Sequence, residues 1–273
     1  MAPTARVAQR IGGQTIHSAL KLGWTPGSVL YTLEKQLQHE TDEAVCLEKS
    51  AVLVDTFDCP QMPDIVVVDE IGMVSFWLAH CIIQYFFRRP KPILFVAMGD
   101  PNQLRPVKTN HNVFSVSLDI PIIRIDLKES KRFSPEYESI IQQLRYYVDT
   151  NDETGLFTYI CGTFPIVEHI DTRFTKMYPS IGLPEIDRGS VQQFLFETFD
   201  SRTTDPFMDQ NERRYGYNLC GCKRFAGTIH KFQGDTMDDD AIAMNFNGSR
   251  DLNLVYTALS RVKSINQIVA LQL

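Results

Sequence analysis

The apolar positions along the chain fall into short runs separated by helical patterns. The runs predict strands buried on both faces, as in a parallel sheet covered by helices. They lie at Ile65–Val68, Ile93–Met98, Ile122–Ile125, Ala241–Asn245 and Ile268–Leu271. Strands that alternate with helices are typical of α/β folds. The pattern therefore predicts an α/β protein with parallel sheets.

Two segments have the spacing of amphipathic helices. The first begins after Ser134, a residue type favoured as an N-cap, and Pro135, a proline favoured in the first turn. Its apolar stripe consists of Tyr137, Ile140, Ile141, Leu144 and Val148. In the second helix Asp251 is the predicted N-cap, and Arg261 lies beside the stripe formed by Val255, Ala258, Leu259 and Val262.

The middle of the chain lacks these patterns. From about 151 to 222 it is rich in Thr, Pro, Gly and charged residues, with weak periodicity. We interpret it as a divergent insertion. With about 100–200 residues per domain as the expectation, the chain holds two domains. The predicted domains are 1–127 and 128–273, the second carrying the insertion.

Composition narrows the functional classes. The chain has 273 residues, and its apolar runs fall short of the roughly 18 residues that cross a bilayer, so no membrane partner is predicted. The N-terminus lacks the apolar segment of a secretory signal, which favours a nuclear or cytoplasmic protein. The six cysteines show no CxxC pair, so free thiols are favoured over zinc. The net charge is −6, so the overall charge does not favour nucleic-acid binding, and any such binding would depend on local sites.

Asp69 and Glu70 follow a predicted strand, where ligands of parallel sheets bind. One hypothesis is that Asp69 holds Mg²⁺ and that Glu70 activates water. The alternative is a solvated surface pair. Gln103 follows the next strand and has an amide able to sense a γ-phosphate, although "GDPN" is also a good turn sequence.

Two later segments add weaker candidates. In "AGTIHKFQGDTMDD" a glycine permits close approach of a phosphate or of a nucleic-acid backbone. The polar residues around that glycine, Gly234, are His230, Lys231, Gln233 and Thr236. In "NLVYTALSRVKS" Arg261 has the chemistry of an arginine finger, although a single helical arginine is more often a surface charge.

In this order the segments resemble the motifs of superfamily 1 DNA helicases of the RecD and PIF type. "APTARVAQRIGGQTIHSAL" is similar to motif Ia and the segment after it, and "VVVDEIGM" to motif II. "GDPNQLRPV" resembles motif III, "LKESKRF" motif IV, "TIHKFQGDT" motif V and "VYTALSRVKS" motif VI. The resemblance runs from the first residues to the last and breaks only in the middle.

The resemblance implies two RecA-like lobes with ATP and Mg²⁺ between them and single-stranded DNA across them. It implies that Asp69 binds Mg²⁺, that Glu70 activates water and that Gln103 couples the γ-phosphate to lobe movement. Arg132 and Arg261 would be the catalytic arginines, and Gln233 and Gly234 would lie at ATP. The residues that would face the DNA backbone are Pro3, Thr4, Thr15, His17, His230, Lys231 and Thr236.

The family's P-loop, G-x-x-x-x-G-K-[ST], is missing, since no glycine in the 273 residues precedes a lysine. Because motif Ia begins at residue 2, we expect an internal start or an incomplete gene model. The first lobe is then incomplete, with exposed apolar surface and an unpaired strand edge. The chain alone is expected to be inactive toward ATP.

Three functions fit the sequence. The first is a fragment of an ATP-dependent helicase that unwinds DNA in replication, recombination or repair, with DNA junctions and replication or recombination proteins as partners. The second is a non-catalytic DNA- or protein-binding remnant. The third is another P-loop enzyme, such as a relaxase-linked or viral replicative helicase. The retained Asp69, Glu70, Gln103 and Arg261 favour the first, and the compact size suggests a virus or mobile element.

Overall fold

The computed structural model describes residues 1–106, 113–114, 121–127, 130–168, 180–182, 226–234, 236–237, 242–246 and 248–273. The chain divides into two compact units, Met1–Asp126 and Leu127–Leu273. In both units helices accompany parallel strands, which confirms the α/β fold class. Within the described ranges, every helix is too short or too polar to cross a membrane.

The first unit combines helices with a two-stranded parallel sheet. The strands are β1 (Ile65–Val68) and β2 (Leu94–Ala97), paired in register from Ile65 with Leu94 to Val68 with Ala97. The helices are α1 (Ala5–Arg10), α2 (Ile16–Ala19), α3 (Val29–Leu37), α4 (Glu43–Ser50) and α5 (Phe76–Phe87). Short 3₁₀ turns span Ala51–Thr56 and Ile71–Met73.

The prediction that β1 and β2 are buried on both faces is wrong. Val66 and Val68 enter the core with α5, whereas Ile65 is 55% and Leu94 is 60% exposed on the opposite face. Strands of a parallel sheet are usually covered on both sides. Here the described helices cover one side, so the other keeps an apolar surface.

The second unit contains a mixed sheet. Its strands are β3 (Ser180–Gly182), β4 (Ala226–Thr228), β5 (Ile242–Asn245) and β6 (Ile268–Gln272), in the order β4-β3-β5-β6. β5 and β6 are parallel, while β3 is antiparallel to both of its neighbours. The helices are α6 (Pro135–Asp149), α7 (Glu153–Thr163), α8 (Ile229–Phe232) and α9 (Leu252–Leu259), with a 3₁₀ turn at Ile265–Gln267.

Both predicted helices of the second unit are confirmed, with their caps. The Ser134 hydroxyl accepts from the Tyr137 N–H, and the Asp251 carboxylate accepts from the Leu254 N–H. Tyr137 joins the two helices, since its buried hydroxyl donates to the Leu259 carbonyl at 2.7 Å. Burial raises the pKa of this phenol well above its usual range.

Three further sequence predictions need correction. Ile122–Ile125 is not a strand: Ile122, Ile123 and Ile125 are 61–91% exposed, so β-propensity alone did not form a ladder. α7 occupies part of the predicted irregular insertion, because Asp152 caps it and Leu156 and Ile160 are fully buried. The rest of the insertion lies mostly outside the described residues.

Arg261 does not lie on a helix, since α9 ends at Leu259.

Candidate nucleotide and nucleic-acid site

The acidic pair Asp69-Glu70 lies where β1 ends, beside the end of β2. The Met98 N–H donates to the Val68 carbonyl at 2.8 Å, and the Ile71 N–H donates to the Met98 carbonyl at 2.9 Å. These bonds fasten the two strand ends on either side of the acids. The sequence-predicted polar loops therefore lie at neighbouring carboxyl ends of one parallel sheet, where ligands of such sheets bind.

Glu70 has an unusual backbone conformation. Its φ of 54° and ψ of 42° are left-handed, a region in which a non-glycine residue costs roughly 1–3 kcal/mol. The Asp69 carboxylate accepts the Glu70 N–H at 3.0 Å and so supports the turn. Strain of this kind concentrates at functional sites, and its presence at the acidic pair favours a chemical role over a solvated turn.

The loop after β2 is built around Asp100. Its carboxylate accepts the Asn102 N–H at 3.0 Å and the Gln103 side-chain amide at 3.4 Å. Gly99, which precedes Asp100, is closely packed: a Cβ there would lie 3.2 Å from the Gly72 nitrogen. The half-buried Gln103 is thus held on the turn that follows β2, one strand away from Glu70.

Arg10 is a site residue that sequence reasoning missed. Its guanidinium contacts the Asp69 carboxylate at 3.4 Å, and the Asp69 side chain is only 16% exposed. The contact arises because the Asp69 N–H donates to the Met1 carbonyl, which lays the start of the chain along β1. The only signal in the sequence was a basic residue inside the motif Ia segment, since this backbone pairing has no local pattern.

The carboxylates of Asp69 and Glu70 are suitable ligands for a Mg²⁺ ion that is also bound to phosphate. Mg²⁺ prefers oxygen ligands and takes one or two carboxylates together with waters and substrate phosphates. Asp69 and Glu70 supply such oxygens at one strand end. Within the described part of the chain there is no cluster of three or more His, Cys, Asp or Glu side chains that forms a complete cage. The four cysteines in that part are free thiols.

The predicted DNA-facing residues of the first unit come together. Ala2 bridges to Thr15 in a parallel arrangement, which sets Pro3 and Thr4 beside Thr15 and His17. The two threonine hydroxyls cap α1 and α2 by accepting backbone N–H groups, so each hydroxyl hydrogen is left to donate. Partial burial lowers the pKa of His17, which keeps its imidazole neutral near pH 7.

The two candidate arginines of the second unit converge on Ser260. Arg132 donates to the Ser260 carbonyl at 3.4 Å, and Arg261 donates to the Ser260 hydroxyl at 2.8 Å. Arg261 also donates through Nε to the Thr257 carbonyl at 2.9 Å and has no exposed surface. Arg132 is half-buried and so retains more access to a ligand than Arg261 does.

The motif V candidates lie around the end of β4 and α8. Gln233 is 5% exposed, and Gly234 adopts a φ of 81°, which only glycine takes readily. His230 is exposed; neighbouring atoms partly desolvate its ring and lower its pKa, an effect that the Asp251 carboxylate opposes. Lys231 is part of α8. Thr236 precedes Met237, whose N–H donates to the Arg261 carbonyl at 2.7 Å, so the motif V and VI segments meet.

A family model described as an AAA domain matches residues 1–153, more than half of the chain. The match includes Asp69, Glu70, Gln103 and Arg132 and therefore spans the strand-end site of the first unit. No curated protein matches the chain.

Several solved helicase structures are similar in fold. The Pif1 helicase of Candida albicans matches with 17% identity and a TM-score of 0.54, over 99% of this chain and 83% of that one. A Bacteroides Pif1 helicase in complex with ADP-AlF₃ and single-stranded DNA matches with 16% identity and a TM-score of 0.50, over 98% and 81%. A structure of two coordinating Pif1 helicases that unwind forked duplex DNA matches with 16% identity and a TM-score of 0.50, over 98% and 80%.

Proposed function

Because the chain belongs to the AAA-domain family and shares the fold of Pif1 helicases, we propose that it is part of an ATP-dependent DNA helicase that moves on single-stranded DNA. The observation that carries this proposal is the strand-end arrangement of the first unit. There Asp69 and the strained Glu70 follow β1, and the Asp100 turn with Gln103 follows β2.

The roles of these residues follow from their chemistry. Glu70 would orient the attacking water and accept its proton, and Asp69 would hold Mg²⁺. Bound Mg²⁺ would supply electrostatic stabilisation of the phosphate oxygens. Gln103 hydrogen-bonds the γ-phosphate or the water through its amide. Arg132 is the accessible candidate for phosphate charge neutralisation, whereas the buried Arg261 would first have to release the Thr257 carbonyl and the Ser260 hydroxyl. Gln233 and Gly234 would lie near the nucleotide.

Single-stranded DNA is the proposed nucleic-acid partner. Pro3, Thr4, Thr15 and His17 form one backbone-facing group, and His230, Lys231 and Thr236 form the other. Hydroxyl and imidazole groups can donate hydrogen bonds to phosphate oxygens, which carry no sequence information. Binding of this kind is expected to be indifferent to base sequence. The proposal extends to DNA junctions as partners and to roles in replication, recombination or repair.

The test measures DNA binding and ATP hydrolysis by the purified chain in parallel. We expect a fluorescein-labelled oligothymidylate to show raised anisotropy with the protein at low salt. Phosphate release from ATP should stay at background, with or without the oligonucleotide, because no glycine-lysine pair is present to form a P-loop. Absence of DNA binding by a folded sample would contradict the proposal. ATPase activity abolished by Glu70→Gln would refute the inactivity and support the catalytic role of Glu70.

A second candidate is a non-catalytic DNA-binding remnant. It is favoured by the Arg10–Asp69 ion pair, which places a side-chain cation where a catalytic carboxylate would meet its metal. The reading frame upstream of the Met1 codon separates the two candidates. An in-frame G-x-x-x-x-G-K-[ST] favours the enzyme, and its absence favours the remnant.

A further inference from the structure

Trp24 is largely exposed to solvent and does not belong to the hydrophobic core. Its side chain is 53% exposed, whereas the second of the two tryptophans, Trp77, is 3% exposed within α5. Tryptophan is usually well buried, because its large apolar surface is costly to leave in water. An exposed tryptophan beside a candidate binding group therefore merits a functional explanation.

The loop that carries Trp24 is held by its own hydrogen bonds. The Ser28 hydroxyl donates to the Gly23 carbonyl at 2.9 Å, and the Ser28 N–H donates to the Thr25 carbonyl at 2.9 Å. Gly27 supplies the left-handed turn with a φ of 94°. Trp24 is thus presented from a closed turn, which reduces the ordering cost when a ligand binds.

Two aromatic rings contact the indole in edge-to-face geometry. The Trp24 ring lies 6.0 Å from the His17 ring and 5.8 Å from the Tyr31 ring, centroid to centroid, with interplanar angles of 84° and 79°. The Lys35 ammonium lies 4.6 Å from the centre of the Tyr31 ring. We call His17, Trp24, Tyr31 and Lys35 the Trp24 patch.

The Trp24 patch is not the face that α3 uses for packing. That helix buries Leu30, Leu33 and Leu37, while Lys35 on the same helix is exposed. Truncating the indole should therefore leave the core of the first unit intact. The patch is, however, continuous with the backbone-facing group, because His17 belongs to both and Thr15 caps the helix that carries it.

We propose that Trp24 is a stacking platform for a base of single-stranded nucleic acid, next to the phosphate contacts of Thr15 and His17. This inference rests on the proposed function and adds a contact to a base, where the other candidates contact the backbone. An indole that is held in place and 53% exposed offers aromatic surface on which any base can stack, and Lys35 adds a positive charge for a phosphate. A purely apolar peptide would make less use of the lysine and the imidazole.

Tryptophan fluorescence tests the stacking directly, because there are only two tryptophans to separate. Trp77→Phe leaves Trp24 as the sole emitter, and Trp24→Phe leaves the buried Trp77 as the matched control. We expect oligothymidylate to quench the emission of the Trp77→Phe protein and to leave that of the Trp24→Phe protein unchanged. Trp24→Ala should weaken binding about 5- to 150-fold, the range for loss of one stacked base, with an unchanged circular dichroism spectrum.

The outcomes separate the inference from the proposed function. If oligothymidylate raises the anisotropy but leaves Trp24 emission unquenched and the affinity of Trp24→Ala unchanged, the stacking inference is overturned while DNA binding stands. If the wild-type chain does not bind the oligonucleotide at low salt, the proposed function fails and the inference fails with it. Quenching in Trp77→Phe alone, together with the weakened Trp24→Ala, supports both.

Discussion

Asp69 uses both carboxylate oxygens in hydrogen bonds at the end of β1. One oxygen accepts the Glu70 N–H at 3.0 Å and supports its left-handed backbone, and the other accepts from the Arg10 guanidinium at 3.4 Å. A divalent cation bound to this carboxylate would have to compete with Arg10. A half-exposed ion pair contributes about 0–1 kcal/mol, so the competition is modest.

Removal of Arg10 should strengthen cation binding at the acidic pair. We expect Arg10→Ala to raise the affinity for Mn²⁺ by up to about fivefold, the equivalent of about 1 kcal/mol, in a titration followed by electron paramagnetic resonance. Arg10→Lys, which keeps the charge, should behave more like the wild type, and Asp69→Asn should lose binding. Weaker Mn²⁺ binding by Arg10→Ala would instead indicate that Arg10 orients the carboxylate for the metal.

Arg261 illustrates the limit of periodicity at single residues. The apolar spacing of 255–262 extended the predicted helix past its real end at Leu259. The chain turns at Ser260, and the guanidinium folds back onto the Thr257 carbonyl with no exposed surface. Helix ends depend on which carbonyls find partners, and at this end the Arg261 side chain shares that task with the hydroxyls of Tyr137 and Ser260.

Among the residues that the structure describes, the sheet of β1 and β2 has one covered and one uncovered face. Ile65 and Leu94 are cross-strand partners, and both are more than half exposed; Val67 is 36% and Met98 is 43% exposed near them. A contiguous apolar patch of this kind favours association with other molecules.

Polar substitution on the uncovered face should reduce self-association. We expect sedimentation velocity to show concentration-dependent association of the wild-type chain and less of it for Ile65→Thr combined with Leu94→Thr. Threonine is β-branched and favours strands, so the fold should persist. The matched control is Val52→Thr, which changes an exposed apolar residue in the turn after α4. Equal association of all three proteins would contradict this role for the sheet face.

α7 depends on a glycine in its first turn. A Cβ on Gly155 would collide with the Asp152 carboxylate that caps the helix and would lie 2.7 Å from a ring carbon of Tyr147. Gly162 in the same helix has no atom within 4 Å of a built Cβ. The two glycines therefore form a matched pair for substitution by alanine.

The two alanine variants should change stability in opposite directions. Gly155→Ala should lower the free energy of unfolding by roughly 1–3 kcal/mol, through overpacking and disturbance of the cap. Gly162→Ala should raise it by up to about 1 kcal/mol, since glycine is costly inside a helix. Urea unfolding followed by circular dichroism measures both values. A stabilising Gly155→Ala would show that the cap relaxes without loss.

At the scale of the whole molecule, the net charge of −6 sets the expected character of DNA binding. The proposed contacts are hydroxyls, histidines and few lysines, so few phosphates are neutralised. Each neutralised phosphate of a single strand contributes about −0.7 to the slope of log affinity against log salt.

The salt dependence of DNA binding should accordingly be shallow. We expect a slope of roughly −1 to −2 for oligothymidylate, measured by anisotropy over a series of KCl concentrations. Lys35→Ala should make the slope shallower by less than one. Trp24→Ala should weaken binding without changing the slope. A slope steeper than about −5 would indicate a broad basic surface in place of these local contacts.

The whole chain shares a fold with known helicases while sharing few residues with them. The AAA-domain match covers residues 1–153, and the likeness to Pif1 helicases covers 98–99% of the chain at 16–17% identity. Few shared residues therefore accompany a shared arrangement of strands and helices. This is expected where burial pattern and strand order, more than particular side chains, specify a fold.

The sequence by itself determined β1, the two capped helices of the second unit and the order of the polar strand-end segments, because these depend on local spacing and on backbone capping. Only the tertiary structure decided the Arg10–Asp69 contact, the burial of Arg261, the left-handed turn at Glu70 and the ring contacts of Trp24. The Arg10–Asp69 contact joins segments that are distant in sequence, and the other three depend on how the chain closes a turn, packs a loop or ends a helix. A one-dimensional pattern records which side chains are apolar, but it does not record which neighbours they meet.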